Sequence, residues 1–299
     1  MGLLFGITTS LVASLVLVTV AAGASPSARS AHANGKIAFQ SSRRGNLDIY
    51  VMKPDGARQR RLTTGRADDC CRPVWSPNGR KIAFASEREG SSEIYVMSAD
   101  GSGQLRLTRN PATDFFPSWS PDGRRIVFTR SRGSAFDMYV MNADGSHQRK
   151  LVAHAVYPDW SPKGSEIAFV RVRAGRFSIY VVNADGSRAH RLTQGSRDTA
   201  PCWAPSGRRI AFQRQIAGRS AIYAMNADGS ALRRLSHGDS DDGAPSWSPD
   251  GRVIAFGRLK GRKEHIYVMN VDGSRVRPLT HGQETGSLPD WQPIAASHS

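Results

Sequence analysis

Every tryptophan in the chain belongs to one series. Trp75, Trp119, Trp160, Trp203, Trp247 and Trp291 stand 44, 41, 43, 44 and 44 residues apart. Two more series share that period: Phe39, Phe84, Phe128, Phe169, Phe212 and Phe256, and Tyr50, Tyr95, Tyr139, Tyr180, Tyr223 and Tyr267. A unit of this length copied six times restricts the chain to repeat architectures. Helical solenoids are excluded, because Pro, Gly and β-branched residues interrupt every unit at intervals of about ten residues.

Each unit reads as short strands joined by tight turns. WSPDG is a type I turn, with Pro setting φ at its second position and Gly at its fourth. RRIAF suits a pleated surface, and IYVMN is apolar on both faces, so both of its faces should be covered. NADGS carries the Asp-Gly pair of a hairpin, and a polar strand containing RRLT closes the unit. Four short strands in 40 to 45 residues is the pattern of a propeller blade. The expected fold is all-β: a six-bladed β-propeller of four-stranded antiparallel blades over residues 35–293. The first unit begins at Gly35 without a Trp strand, and the last Trp strand, Leu288 to Pro293, has no strand after it. The Trp291 strand should therefore join the first blade, closing the ring and removing two exposed edges.

Repeats of the form PSWSPDGRRIAF…IYVMNADGS…RRLT resemble the PD40, or WD40-like, repeat of the TolB propeller family, over residues 35–293. The resemblance implies a propeller of the cell envelope. TolB proteins also carry an α/β domain ahead of the propeller, and here only about ten residues separate an apolar leader from the first repeat. No G-x-S-x-G domain follows, so the peptidase activity that some proteins with this repeat possess is not implied.

Residues 3 to 24 carry no charge, and Ala22-Gly23-Ala24 and Ala31-His32-Ala33 are small-x-small cleavage patterns. The expected organisation is a signal peptide or membrane anchor over 1–24, a linker over 25–34, the propeller, and a tail over 294–299. An exported protein follows, periplasmic or extracellular, cleaved at Ala24 or Ala33 or held by an uncleaved anchor. No later stretch is long and apolar enough to span a membrane. Export changes the meaning of the charge balance. With 41 Lys+Arg against 25 Asp+Glu the chain is formally +16, a figure that in isolation suggests nucleic acid. Nucleic acid is not expected as a partner: the arginines are distributed blade by blade into edge and turn positions, with no aromatic–basic stacking motif.

Strand spacings hardly vary; the crossover from each Leu to the next Trp does, at 13, 12, 9, 11, 12 and 12 residues. Variable loops on a rigid scaffold are where binding concentrates. Asp68, Asp69, Asp114, Asp198, Asp241 and Asp242 lie five to seven residues before their Trp. With the Trp strand innermost, they would ring one mouth of the central channel. Such a ring would suit Ca²⁺ or the cationic groups of a peptide; equally, each Asp would cap its own turn. Arg130, Arg171, Arg214 and Arg258, each two residues after its Phe, enter loops on the same side and are the basic candidates. The ring is incomplete at the shortest crossover, Leu151 to Trp160, which carries His154 and Tyr157 instead. Cys70, Cys71 and Cys202 have no zinc-type spacing; they are free thiols or, for the adjacent pair, a strained disulfide. Phe115 and Phe116 are an apolar pair in a crossover, as core or as binding surface.

No nucleophile, base and orienting acid recur in a local motif. The expected function is a non-catalytic, monomeric interaction module. Its partner would be an envelope protein or peptide, or a charged polymer, bound without a resident cofactor at the crossover mouth. The alternative is a glycan-active lyase or hydrolase using the paired carboxylates Asp68/Asp69 or Asp241/Asp242.

Overall fold

The computed structural model describes residues 34–195 and 197–294. The expected leader, the linker up to residue 33 and the tail beyond residue 294 lie outside these. All regular structure among the described residues is β-strand, arranged as six four-stranded sheets. The innermost strands are Ser287–Trp291 in blade 1, Asp69–Trp75 in blade 2 and Thr113–Trp119 in blade 3. Blades 4, 5 and 6 contribute Ala155–Trp160, Asp198–Trp203 and Asp241–Trp247. Each is followed outward by the IAF-type strand, the IYVM-type strand and a short polar outer strand.

Ring closure takes the form the repeat phase demands. Ser287–Trp291 pairs antiparallel with Ile37–Ser41, placing Ile37 opposite Trp291 and Ala38 opposite Asp290. Beyond the strand, the Gln292 N–H donates to the Lys36 carbonyl at 2.7 Å.

The core is six layers between neighbouring blades. Trp75, Ile82, Phe84, Tyr95 and Met97 of blade 2 pack on Ala38, Ile49, Val51 and Leu62 of blade 1. The opposite face of blade 2, with Val74, Ala83, Ala85, Ile94 and Val96, receives Trp119, Ile126 and Phe128 of blade 3. The period-2 alternation of a strand gives each blade one bulky and one small face. The repeated motifs have matching uses. In each NADGS turn the Asp accepts a backbone N–H two residues on, as Asp100 does from Ser102 at 3.0 Å. The next glycine has positive φ and lies against the preceding blade: a Cβ on Gly101, at φ +89°, would stand 2.9 Å from the Leu62 carbonyl oxygen. Only glycine satisfies both conditions. The Thr after the outer-strand Leu accepts the N–H of the buried Ile, as Thr63 does from Ile49 at 3.0 Å.

A chain ending at Gly286 loses the inner strand of blade 1 and uncovers Ile37 and Phe39, both fully buried. Loss of the Trp291 side chain alone is expected to cost about 3–5 kcal/mol. The truncated chain should therefore lose its single cooperative melting transition in circular dichroism. Adding a peptide of residues 287–294 should restore part of it.

Candidate functional site

All six tryptophans line one axial depression of about 220 Å³, together with the turn prolines Pro77, Pro121, Pro162 and Pro293. The Trp strands are thus innermost, and the depression opens toward the WSPDG turns. Each inner strand reads x-Pro-x-Trp, and each breaks register just before the tryptophan. The residue three before Trp has left-handed φ in every blade: Arg72 (67°), Phe116 (53°), Tyr157 (56°), Ala200 (49°), Ala244 (50°) and Leu288 (49°). A bulge of this kind re-aims a side chain, and these six differ from blade to blade.

The residue just before Trp differs too: Val74, Ser118, Asp159, Cys202, Ser246 and Asp290. Where it is an acceptor it ties one blade to the next. Asp290 accepts the Trp75 N–H at 2.8 Å, Asp159 that of Trp203 at 2.8 Å, and Ser118 that of Trp160 at 3.1 Å. Arg72 reaches from blade 2 to blade 4 and pairs with Asp159 at 2.9 Å, with side-chain exposures of 8% and 13%. This pair crosses the channel and floors the depression. Burial works against the Arg72 guanidinium, but Asp159 and Asp290 outweigh it and hold its pKa above the ordinary value. Asp290, on the blade opposite Asp159, is pushed up to about 7 by burial, which Arg72 and the Trp75 N–H only partly offset.

The crossover acids are engaged within their own blades. Arg130 donates Nε and Nη2 to the two Asp114 oxygens at 2.7 and 2.8 Å. Arg214 does the same to Asp198 at 2.6 and 2.9 Å, and Arg258 to Asp242 at 2.6 and 2.8 Å. In blade 2 Arg88 plays this part toward Asp69 at 2.7 Å. Each guanidinium also lies over the Phe–Tyr pair of its blade, with Arg130 Cζ 4.5 Å from the Tyr139 ring. Asp69, Asp114, Asp198 and Asp242 are buried. Asp68 and Asp241 accept the backbone N–H groups of Leu47 and Ser220 in the preceding blade, both at 2.7 Å. Basic and acidic candidates thus form neutralised pairs. Arg171 stacks over Tyr180 at 4.8 Å without a carboxylate, because Ala155 occupies the aspartate position of its blade. Among the described residues no group of three or more His, Cys, Asp or Glu side chains is arranged for a metal ion. Cys70, Cys71 and Cys202 are unbridged.

The channel mouth on the crossover side is two-sided. At blades 3 and 4 the partly buried Phe116 stacks on Tyr157 with centroids 4.1 Å apart, and Phe115 meets Phe116 and Phe136 edge-on. At blades 5, 6 and 1 a cavity of about 330 Å³ is lined by Gln40, Gln213, Ala244, Glu264, Ser287 and Leu288 among others. Glu264 folds over Gly257, where any side chain would collide with it, and burial pushes its carboxyl up to about 7. Arg72, Asp159, Asp290, Tyr157 and Glu264 were not candidates on sequence alone. For all but Glu264 the signal lies in the x-Pro-x-Trp segment, where Pro and Trp never change and the two other positions vary.

The PD40 family, described as the TolB beta propeller domain, matches residues 12–151, 68–214 and 148–297. No curated protein matches the sequence. Among solved structures, TolB from Acinetobacter baumannii superposes with a TM-score of 0.76 at 22% identity, covering 87% of this chain and 67% of that one. A putative TolB from Agrobacterium tumefaciens gives 0.69 at 22% identity, covering 85% and 91%. An oligogalacturonate lyase in complex with manganese gives 0.53 at 16%, covering 83% and 74%. At these identities the likenesses establish the fold.

Two measurements test the site's electrostatics. Asp114→Ala leaves Arg130, itself 7% exposed, without its counter-charge; the expected loss is about 3 kcal/mol or more in urea unfolding. For Asp290 the folded pKa of about 7 exceeds the ordinary carboxylate value. Between the two values the folded state holds more protons than the unfolded chain, so stability falls as pH rises and levels off above the folded pKa. Asp290→Asn keeps an acceptor for the Trp75 N–H and removes that loss. The variant should melt above wild type at pH 8, and the gap should close near pH 4.

Proposed function

Because the chain belongs to the TolB β-propeller family, we propose that it is an exported interaction module of the cell envelope, binding a protein or peptide at the crossover-side mouth of its channel. One observation carries this reading: every inner strand keeps its Pro and Trp, while the residue at the left-handed bulge three before the Trp varies in size, aromaticity and charge. At that bulge stand Arg72, Phe116, Tyr157, Ala200, Ala244 and Leu288. The Arg72–Asp159 pair crosses the axis, so a partner entering by the crossover mouth meets a closed floor. It also meets an aromatic wall on one side and polar groups with an uncompensated carboxyl on the other, a surface that suits a peptide with apolar and polar side chains.

The lyase reading is weaker. A hydrolase would need two free carboxyl groups held close together, and the lyase alternative rests on the same paired carboxylates. Asp69 and Asp242 are bound to arginines, and Asp68 and Asp241 cap backbone N–H groups. A Ca²⁺ site would compete with the same arginines, so the proposal assigns no cofactor.

A photo-cross-linking amino acid at position 116 or 157, introduced in the native envelope, should capture a discrete partner. Capture should fall by at least about tenfold when Tyr157→Ala is added to the position-116 probe, with the melting temperature little changed, as truncating a partly exposed anchor does at binding surfaces. Turnover of an envelope glycan by the wild-type protein, lost in Asp242→Asn, would return the lyase reading to first place.

A further inference from the structure

Blade 4 lacks a carboxylate that four other blades possess. The pairing register makes the comparison strict. Asp114 stands opposite Arg130, Asp198 opposite Arg214, and Asp242 opposite Arg258. In blade 4 Ala155 stands opposite Arg171 in the same register. Blade 2 reaches the same pairing through Arg88 and Asp69. In blade 1 Arg43 is satisfied by the Thr285 carbonyl and Gln59 Oε1, at 3.0 and 2.7 Å.

The Arg171 guanidinium nevertheless holds the position its counterparts hold. Its Cζ lies 5.2 Å from the Phe169 ring and 4.8 Å from Tyr180, against 5.3 and 4.8 Å for Arg258 over Phe256 and Tyr267. Its Nε, the atom that donates to aspartate in blades 3, 5 and 6, is buried without a partner among the described residues. Burial and the neighbouring Arg173 press its pKa below the ordinary value, with only Tyr180 acting the other way. The guanidinium is therefore preorganised for a carboxylate that the blade does not supply.

We propose that Arg171 receives a carboxylate from outside the chain: an Asp or Glu side chain of a partner peptide. This rests on the interaction reading above and names the chemistry of the partner. A peptide source follows from the surroundings. The equivalent positions are filled by aspartate side chains, and beside Ala155 in the same inner strand Tyr157 contributes to the aromatic wall at the mouth. A planar guanidinium already in place takes a carboxylate in two parallel bonds. An acidic peptide with interspersed aromatic residues would use both features at once.

The test is fluorescence anisotropy of a labelled (Asp-Phe)4 peptide on the full mature chain. Wild type is compared with three variants that change charge, Arg171→Gln, Ala155→Asp and Arg252→Gln (an exposed turn position on the opposite face that removes the same charge), and with Tyr157→Ala. Ala155→Asp should fill the vacancy from within, so it should weaken binding by at least about tenfold while melting at or above wild type. Arg171→Gln should weaken binding equally, and Arg252→Gln should not. Equal weakening by all three variants would mean only generic attraction to a basic protein, and the proposal falls. Retained affinity in both blade 4 variants, with loss in Tyr157→Ala, also overturns it but leaves the mouth as the binding surface. Preference for trigalacturonate over the peptide overturns the choice of a peptide source.

Discussion

The layer between neighbouring blades is the interaction on which the rest of the structure depends. Each blade presents a bulky face (Trp, Ile, Phe, Tyr and Met) and a small one, built from Ala, Val, Ile and Leu, and the bulky face of one fits the small face of its neighbour. Such head-to-tail contact between unlike faces must either close into a ring or continue without end. It closes when Phe39, Tyr50 and Trp291 of blade 1 meet Ala255, Ile266 and Val268 of blade 6. Packing at this density tolerates little change in volume, which is why the same residues recur in every layer. It also accounts for the glycine of each NADGS turn, pressed against a carbonyl of the preceding blade.

The arginines follow from that layer. The Phe–Tyr pair on the bulky face stops short of the crossover surface, and a guanidinium covers it there, with Cζ between 4.4 and 5.1 Å from the tyrosine ring in all six blades. A cation so placed needs a counter-charge once half-buried, and the crossover supplies an aspartate in four blades. Four of these six arginines are thus neutralised in place, so the repeated device itself adds little to the chain's formal +16. What the crossover mouth offers a partner is set by the few positions where the pairing fails.

The architecture was legible because its causes are local and repeated. Trp, Phe and Tyr at constant spacing define strands and faces, and the phase of the first and last units defines the closure. The pairing of acids with arginines was equally periodic: Asp114 and Arg130, Asp198 and Arg214, and Asp242 and Arg258 are each 16 residues apart. Spacing alone does not reveal it, because only the hairpin geometry of the inner strands brings the two sets to one point. Arg72 and Asp159 could not be joined from sequence at all. They are 87 residues apart and meet only because a bulge turns Arg72 across the axis of a closed ring.

Departures from the repeat are not spread evenly over the blades. Blade 4 has the shortest crossover, nine residues from Leu151 to Trp160. It replaces the paired aspartate with Ala155, leaves Arg171 without a counter-charge, and supplies both Tyr157 at the mouth and Asp159 at the channel floor. Two of these changes give up something the other blades mostly keep: a neutralised arginine, present in blades 2, 3, 5 and 6, and a crossover of eleven residues or more. Unpaired buried charge is costly, and the ring offers four working Arg–Asp pairs to copy. That the losses coincide in one blade, beside the aromatic wall of its neighbour, is the pattern expected of a surface shaped for a partner on an otherwise uniform scaffold.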